Sequence, residues 1–108
     1  MLITVGGEYM NYPLVSVITT CYNGAKYIRP ALECVATSSY PAIEHIVIDD
    51  ASTDDSFNQL LALRDEFSFV LIKSSCNRGP AGARNKAIAA SKGKYIVNLD
   101  CDNYFSGD

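Results

Sequence analysis

The sequence predicts an α/β fold built on a mostly parallel sheet of about four strands, with helices on both faces. Short apolar, β-branched runs alternate with segments of helical periodicity from Val15 onward. The helical segments are long enough for the right-handed crossovers that join parallel strands. Hydrophobic residues make up 48% of the 108 residues, which is enough to bury one core, so we expect a single folded domain.

The first strand–helix unit follows a segment without clear periodicity. Residues 1–12 contain Gly6 and Gly7 and are interpreted as a leader or edge segment, and residues 13–108 as the domain. Residues 15–20 form an apolar run typical of a buried strand. Apolar residues at helical spacing predict a helix over 25–38, in which Pro30 fits only within the first turn.

The second and third units repeat this order. Strands are predicted over 44–49, 68–72 and 95–99. After the first of these, Ser52 and Thr53 offer N-cap hydroxyls, and Asp54 and Asp55 offer first-turn carboxylates for a helix. A further helix is predicted over 80–91, starting at Pro80 and terminated by Gly93.

Composition argues against several classes of protein. The net charge is −3, and the nine Lys and Arg residues are scattered, so we expect no nucleic-acid surface. The four cysteines form no CxxC pair and lie far from the single histidine, which argues against a zinc site. No apolar run reaches the length of a membrane span, and no signal peptide is evident. We therefore expect a cytoplasmic protein with reduced thiols, and leave any membrane association to a full-length parent.

Polar residues follow the predicted strands at three places. The last strand runs into Asp100 and Asp102, the second ends at Asp49 and Asp50, and Tyr22 follows the first. Ligands of parallel sheets bind at the carboxyl ends of the strands, so these side chains are expected to form one site. Two carboxylates one residue apart suit Mg²⁺ or Mn²⁺ held against a diphosphate. Alternatively, Asp100 caps a turn and Asp102 is solvated.

The other strand ends fit a nucleotide. Asp49 and Asp50 point in opposite directions, so one would orient the loop while the other, Asp50, reaches a base N–H. Tyr22 is suited to stacking on a base, with backbone groups of Thr20 and Cys21 beside it. In the alternative interpretation both aspartates cap the following turn and Tyr22 packs on the sheet rim.

A Gly-rich basic segment, 77–85, precedes and enters the last helix. Its glycines allow a close backbone approach, and the helix start favours anions. Arg84 is therefore a candidate for diphosphate or base contact, or else a residue of a solvated helix face. No Gly-Lys-Ser/Thr follows, which excludes a Walker loop.

Together these motifs resemble the nucleotide-binding half of a family-2 glycosyltransferase with the Rossmann-like GT-A fold, over roughly residues 13–103. The matching stretches, in chain order, are Val15-Ser16-Val17-Ile18 with Tyr22-Asn23, Tyr27-Ile28 with Leu32, Glu44 to Asp54, Asn77-Arg78-Gly79 with Ala83-Arg84-Asn85, and Gly93-Lys94-Tyr95-Ile96 running into Leu99-Asp100-Cys101-Asp102-Asn103.

The resemblance implies transfer of a sugar from a UDP- or dTDP-type donor, with inversion and with Mn²⁺ or Mg²⁺, to a glycan, lipid or protein acceptor. It assigns Asp50 to the base edge, Arg84 to the nucleotide, and Asp100 and Asp102 to the metal, with Asp102 the more direct ligand. We therefore expect the nucleotide-binding residues to be Thr20, Cys21, Tyr22, Asn23, Asp50, Arg84 and Asp100.

The sequence departs from the family pattern in three ways. Thr20 stands where a proline is usual, and Asn103 where a third acid is common. The family's catalytic base lies beyond the acidic pair, and no residue here matches it, so a truncated, donor-binding chain is expected. Apolar surface beside the last strand would then be open to self-association.

Three other functions are compatible with parts of this pattern. A non-catalytic nucleotide-binding module would keep donor binding without transfer. A receiver-like phosphoacceptor domain needs an acidic pair after the first strand, where this chain has Thr20-Cys21-Tyr22-Asn23. A nucleotidyltransferase would carry a Gly-rich, basic signature at the same place.

Overall fold

The computed structural model of the chain describes the backbone of residues 2–5 and 8–100 and the side chains of residues 11–100. Strands and helices alternate after an N-terminal hairpin, as the apolar periodicity predicts. The elements are β1 (Leu2–Val5), β2 (Glu8–Asn11), β3 (Val15–Cys21), a 3₁₀ turn (Ala25–Tyr27), α1 (Arg29–Ala36), β4 (Ile43–Asp49), α2 (Ser56–Leu63), β5 (Val70–Lys73), α3 (Gly79–Ala90) and β6 (Tyr95–Asn98).

Four of the strands form one parallel sheet in the order β5-β4-β3-β6. The chain moves outward from β3 to β4 and β5, and α3 then carries it back across the sheet to β6 on the other side of β3. The strand order therefore reverses between β3 and β6. In a parallel sheet such a reversal opens a crevice at the carboxyl ends of the two strands.

Helices cover both faces of this sheet, because its central strands are apolar on both sides. On one face, Cys21 and Val47 pack with Leu32 of α1 and Leu60 of α2. On the other face, isoleucines of β3 and β4 pack against Ala83 and Ala87 of α3. The small alanines let α3 approach the sheet closely. The predicted α/β fold, with a parallel sheet of about four strands and helices on both faces, is confirmed.

A buried polar pair lies within the first of these layers. Thr19 of β3 and His45 of β4 are hydrogen-bonded through Oγ1 and Nε2 at 2.8 Å. The ring of His45 also meets Phe69 at a centroid distance of 6.4 Å. Burial lowers the pKa of His45 to about 4, so the imidazole is neutral at physiological pH.

Three local details differ from the expectations. Pro30 lies in the first turn of α1 as predicted, but α1 begins at Arg29 because a 3₁₀ turn precedes it. Ser52 and Thr53 do not cap α2; Asp54 Oδ1 instead accepts the backbone N–H of Ser56 at 2.8 Å. Hydrogen bonding from Ser56, first from its hydroxyl and then from its backbone N–H, lowers the pKa of Asp54.

The third difference concerns Gly93. It does not terminate a helix in the left-handed conformation, since α3 ends at Ala90 with Ser91 extended. Gly93 instead passes so close to β3 that an added Cβ would lie 2.4 Å from Ser16 Oγ. Its N–H donates to that oxygen at 2.8 Å, and Ser16 in turn donates to Glu44. This bond pins the start of β6 beside β3.

The N-terminal segment, for which no element was expected, forms an antiparallel hairpin of β1 and β2 separate from the main sheet. In the part of the chain that the structure describes, no helix is long and apolar enough to span a bilayer.

Candidate functional site

The carboxyl ends of β3, β4 and β6 bring the predicted residues to one edge of the sheet. β3 pairs with β4 in a register that sets Cys21 opposite Asp49, and with β6 in one that sets Ile18 opposite Asn98. Thr20 lies two residues after Ile18 on β3, and Asp100 lies two residues after Asn98, the last residue of β6. They therefore lie on the two sides of the crevice where the strand order reverses.

The loop after β4 is held by Asp49. Its carboxylate accepts both the backbone N–H of Ser52, at 3.1 Å, and the hydroxyl of the same residue. Ser52 Oγ in turn accepts the N–H of Asn23 at 2.9 Å. Asp49 therefore orients the loop, which is the role predicted for one member of the Asp49–Asp50 pair.

Asn23 locks the loop after β3 to the loop after β4. Its Oδ1 accepts the N–H groups of Thr53 at 2.8 Å and Asp54 at 3.2 Å, and its Nδ2 donates to Thr53 Oγ1 at 3.0 Å. Asn23 has a positive φ of 50°, a conformation that asparagine tolerates better than most residues. Its amide serves these loops, and nucleotide contact by Asn23 stays a prediction.

Asp50 is buried and turns towards the start of α3. Its Oδ1 accepts the N–H of Arg78 at 2.9 Å, and its backbone O accepts Asn77 Nδ2 at 3.3 Å. Its own N–H donates to Cys21 O at 2.8 Å. Contact between Asp50 and a base stays a prediction, and it would be made through Oδ2, since Oδ1 is already bonded.

Arg84, Asn98 and Asp100 form a polar chain across the crevice. Arg84 Nε donates to Asn98 Oδ1 at 3.2 Å, and Asn98 Nδ2 donates to Asp100 Oδ1 at 2.6 Å. Arg84 is half-buried and is directed to the end of β6, where Asn98 links its guanidinium to the carboxylate of Asp100. Contact of Arg84 with a nucleotide stays a prediction.

Thr20 and its neighbours lie at the carboxyl end of β3. The side chain of Thr20 is fully buried on the α3 face, and its Oγ1 has no hydrogen-bond partner among the residues that the structure describes. Ser74 Oγ, just after β5, is a second buried hydroxyl without a partner in that part of the chain. Cys21 points the opposite way into the α1–α2 layer, and Tyr22 is half-buried. A role for Cys21 in the site would therefore be through its backbone.

The predicted metal ligands are Asp100 and Asp102. Asp102, with Asn103, lies outside the described residues, and within 11–100 no three His, Cys, Asp or Glu side chains cluster to hold a metal. Asp100 borders a cavity of about 140 Å³ between α1 and the end of β6, lined also by Tyr27 and Leu99. The other residues that line this cavity are mostly apolar, so Asp100 is its one carboxylate among the described residues.

Two residues of this edge were not identified from the sequence. Asn98 links Arg84 to Asp100. The sequence indicated this residue only as a single polar position inside the apolar run of β6. Ser52 links Asp49 to Asn23, and its signal was a hydroxyl three residues after an aspartate at a strand end.

Comparison with known proteins agrees with this geometry. The model of the family "Glycosyl transferase family 2" matches residues 16–108. A glucosyltransferase of Escherichia coli, WfaP, is 39% identical over 92 residues, which cover 85% of this chain and 36% of the relative. Its full name is UDP-Glc:alpha-D-GlcNAc-diphosphoundecaprenol beta-1,3-glucosyltransferase.

Two solved structures share the fold. The mannosyltransferase PcManGT of Pyrobaculum calidifontis, in complex with GDP-Man and Mn²⁺, superposes with a TM-score of 0.78 at 30% identity, covering 85% of this chain and 28% of that one. TarS of S. aureus in complex with UDP-GlcNAc gives a TM-score of 0.73 at 30% identity, covering 82% and 26%. The chain thus spans well under half the length of these proteins. The family match extends over the main sheet from Ser16 onward, and the chain belongs to glycosyl transferase family 2.

Proposed function

We propose that this chain binds the nucleotide-sugar donor, of UDP type, of an inverting and metal-assisted glycosyltransferase. The observation that carries the proposal is the reversal of strand order between β3 and β6, with Thr20 and Tyr22 at the carboxyl end of β3 and the hydrogen-bonded Arg84, Asn98 and Asp100 at that of β6. Crevices of this kind bind nucleotides at the carboxyl ends of parallel strands.

Each side of the crevice has its own role in the proposal. Tyr22 offers an aromatic face for the base, and Asp50 Oδ2 an acceptor for a base N–H. Asp100 and Asp102 hold the cation, and Arg84 lies beside them to bind the diphosphate. A divalent cation held there would neutralise the charge that develops on the leaving diphosphate.

Relatives support the ligand class. The titles of the two solved structures name a nucleotide-sugar, GDP-Man or UDP-GlcNAc, and the first also names Mn²⁺. The name of the Escherichia coli relative gives UDP-Glc as donor and a diphosphoundecaprenol-linked sugar as acceptor. A lipid-linked acceptor at the cytoplasmic membrane surface is therefore the first acceptor to test.

Donor binding and sugar transfer are separable in this proposal. An inverting transfer needs a base that deprotonates the acceptor hydroxyl on the face opposite the leaving group. No residue of the 108 matches the family's base motif, so we propose that this chain binds donor without completing efficient transfer.

Calorimetric titration with UDP, with and without Mn²⁺, tests the proposal. We expect Mn²⁺-dependent binding that Asp100→Ala and Asp102→Ala each abolish. Asp65→Ala is the matched control, because Asp65 is an exposed carboxylate just after α2, at the opposite edge of the sheet. Its binding should equal that of the unmodified chain.

The outcomes separate the parts of the proposal. Binding that ignores Mn²⁺ and survives both site variants would contradict the metal assignment. No binding of UDP or GDP by a chain that is folded by circular dichroism would contradict the donor-binding role. Sugar transfer to a lipid-linked acceptor by this chain alone would show that a base is present among its residues.

A further inference from the structure

A cavity of about 380 Å³, here called the amino-end cavity, lies between the later part of α1, the start of β4 and the loop that precedes β5. Its walls include Leu32 and Val35 of α1, Ile43 of β4, and Phe67. Small-molecule sites in proteins are concave, mostly apolar and about 300–1,000 Å³ in volume. The amino-end cavity is therefore large enough for a small ligand, and none of the residues that line it belongs to β6 or to the carboxyl end of the sheet.

The ring of His45 forms part of the wall of the amino-end cavity. His45 is only 4% exposed, and its Nε2 is hydrogen-bonded to Thr19 Oγ1 at 2.8 Å. The other ring nitrogen, Nδ1, has no hydrogen-bond partner among the described residues. Both nitrogens of an imidazole form hydrogen bonds. Nδ1 is therefore the ring nitrogen that is left for a ligand.

The hydrogen bond to Thr19 decides which nitrogen of His45 carries the proton. Burial lowers the pKa of His45 to about 4, so at physiological pH the imidazole is neutral and carries one ring proton. The hydroxyl of Thr19 is fully buried, and within the described part of the chain His45 Nε2 is its one hydrogen-bond partner. If Nε2 carried the ring proton, the hydroxyl proton would be buried without an acceptor, which is unfavourable. Nε2 therefore accepts from Thr19, and Nδ1–H is a donor.

The lining of the amino-end cavity favours an uncharged ligand. No Asp, Glu, Lys or Arg side chain lines it, so an ion would lose hydration there without meeting an opposite charge. Part of the wall is also fixed in place. The hydroxyl of Tyr40 donates to Pro13 O, and its ring meets the ring of Tyr12 edge-on at a centroid distance of 5.8 Å. This side of the cavity is therefore formed before any ligand enters.

We propose that the amino-end cavity binds a small uncharged molecule with an apolar ring and one oxygen acceptor, and that His45 Nδ1–H donates to that acceptor. The apolar ring matches the side chains of Leu32, Val35 and Phe67. An aryl carbonyl is the simplest molecule that has both features. Because all of these residues lie away from the strand ends that carry Asp50 and Asp100, this binding does not depend on the proposed donor binding.

Titration of the chain with acetophenone, followed by NMR of the imidazole nitrogens, tests the proposal. His45 is the single histidine of the chain, so the ring signals are unambiguous. We expect the Nδ1–H tautomer in the free chain, and a shift of the Nδ1 signal that saturates with acetophenone. α-Methylstyrene has the same shape but a methylene group in place of the oxygen, so it should bind about three- to tenfold more weakly. Benzoate, which is charged, should not bind.

Two variants test the position of the ligand, with binding measured from backbone amide shifts and folding checked by circular dichroism. Ala36→Phe places a ring in the amino-end cavity and should abolish binding of acetophenone. Ala89→Phe is the matched control, because Ala89 is an exposed alanine of α3 outside the cavity. His45→Leu removes the donor and should bring the dissociation constant of acetophenone to that of α-methylstyrene.

Several outcomes would overturn the proposal. An Nε2–H tautomer in the free chain would do so, as would an absence of acetophenone binding. Equal affinity of the unmodified chain for acetophenone and α-methylstyrene would show that Nδ1–H makes no hydrogen bond to the ligand. Binding that Ala36→Phe and Ala89→Phe leave equally unchanged would place the ligand elsewhere. If Ala36→Phe does not fold, the comparison of the two probes in His45→Leu decides.

Discussion

Thr19 and Thr20 are adjacent, of the same residue type and equally buried, yet the structure predicts opposite effects for the same substitution. Thr19 Oγ1 is bonded to His45 Nε2 at 2.8 Å, whereas Thr20 Oγ1 has no hydrogen-bond partner within the described part of the chain. Thr→Val replaces the hydroxyl by a methyl group with nearly the same shape and the same β-branching. The pair of variants therefore isolates the hydroxyl.

The size of each effect follows from the state of the hydroxyl. A buried polar group without a partner costs about 1–3 kcal/mol, so Thr20→Val should raise the free energy of unfolding by about 1–2 kcal/mol. Thr19→Val removes a bond and leaves His45 Nε2 buried without a partner, so it should lower that free energy by about 1–3 kcal/mol.

Urea unfolding followed by far-ultraviolet circular dichroism measures both variants, since the chain has no tryptophan. We expect unchanged slopes and midpoints that move in opposite directions. Destabilisation of Thr20→Val by as much as Thr19→Val would refute the reasoning. The hydroxyl of Thr20 would then be satisfied by a buried water or by a group beyond the described residues.

Three further predictions concern the packing around the site. Burial lowers the pKa of His45 from 6.5 to about 4. Between these two pH values the His45 imidazole is protonated in the unfolded chain but neutral in the folded chain. Stability should fall by about 3 kcal/mol as the pH drops through that window, and His45→Gln should flatten the slope in urea unfolding at several pH values. Gly93→Ala places a Cβ 2.4 Å from Ser16 Oγ, so thermal unfolding should show a loss of about 1–3 kcal/mol; an unchanged midpoint would contradict the close approach of β6. Asn23→Ala loses three loop bonds at a positive φ and should cost about 2–3 kcal/mol in urea unfolding, whereas the exposed control Asn58→Ala should change stability by under about 0.5 kcal/mol.

Several expectations from the sequence hold because they rest on local patterns. β-branched apolar runs identified the strands of the main sheet, and Pro30 was placed correctly in a first helical turn because its ring fits only there. Asp49 was anticipated as the member of the Asp pair that orients the loop, because adjacent strand residues point to opposite faces.

Other expectations were wrong, or a role was missed, because the role of the residue depends on contacts with residues far away in the sequence. Gly93 looked like a helix terminator, but its lack of a side chain serves an approach to Ser16, far away in sequence. The hydroxyl of Ser52 looked like a helix cap, yet it joins Asp49 to Asn23. The local sequence shows which hydrogen-bonding groups are present. Which hydrogen bonds those groups form depends on the other donors and acceptors that the fold brings near them.

The sequence by itself determined the class of fold, the order of the elements and the family, because periodicity and short motifs are properties of contiguous residues. Only the tertiary structure decided that β6 lies beside β3, that Arg84 reaches Asp100 through Asn98, and that Thr20 Oγ1 is buried without a partner. The physical reason is that strand order and side-chain partners arise from packing between segments far apart in the chain, where burial and hydrogen-bond satisfaction are settled jointly.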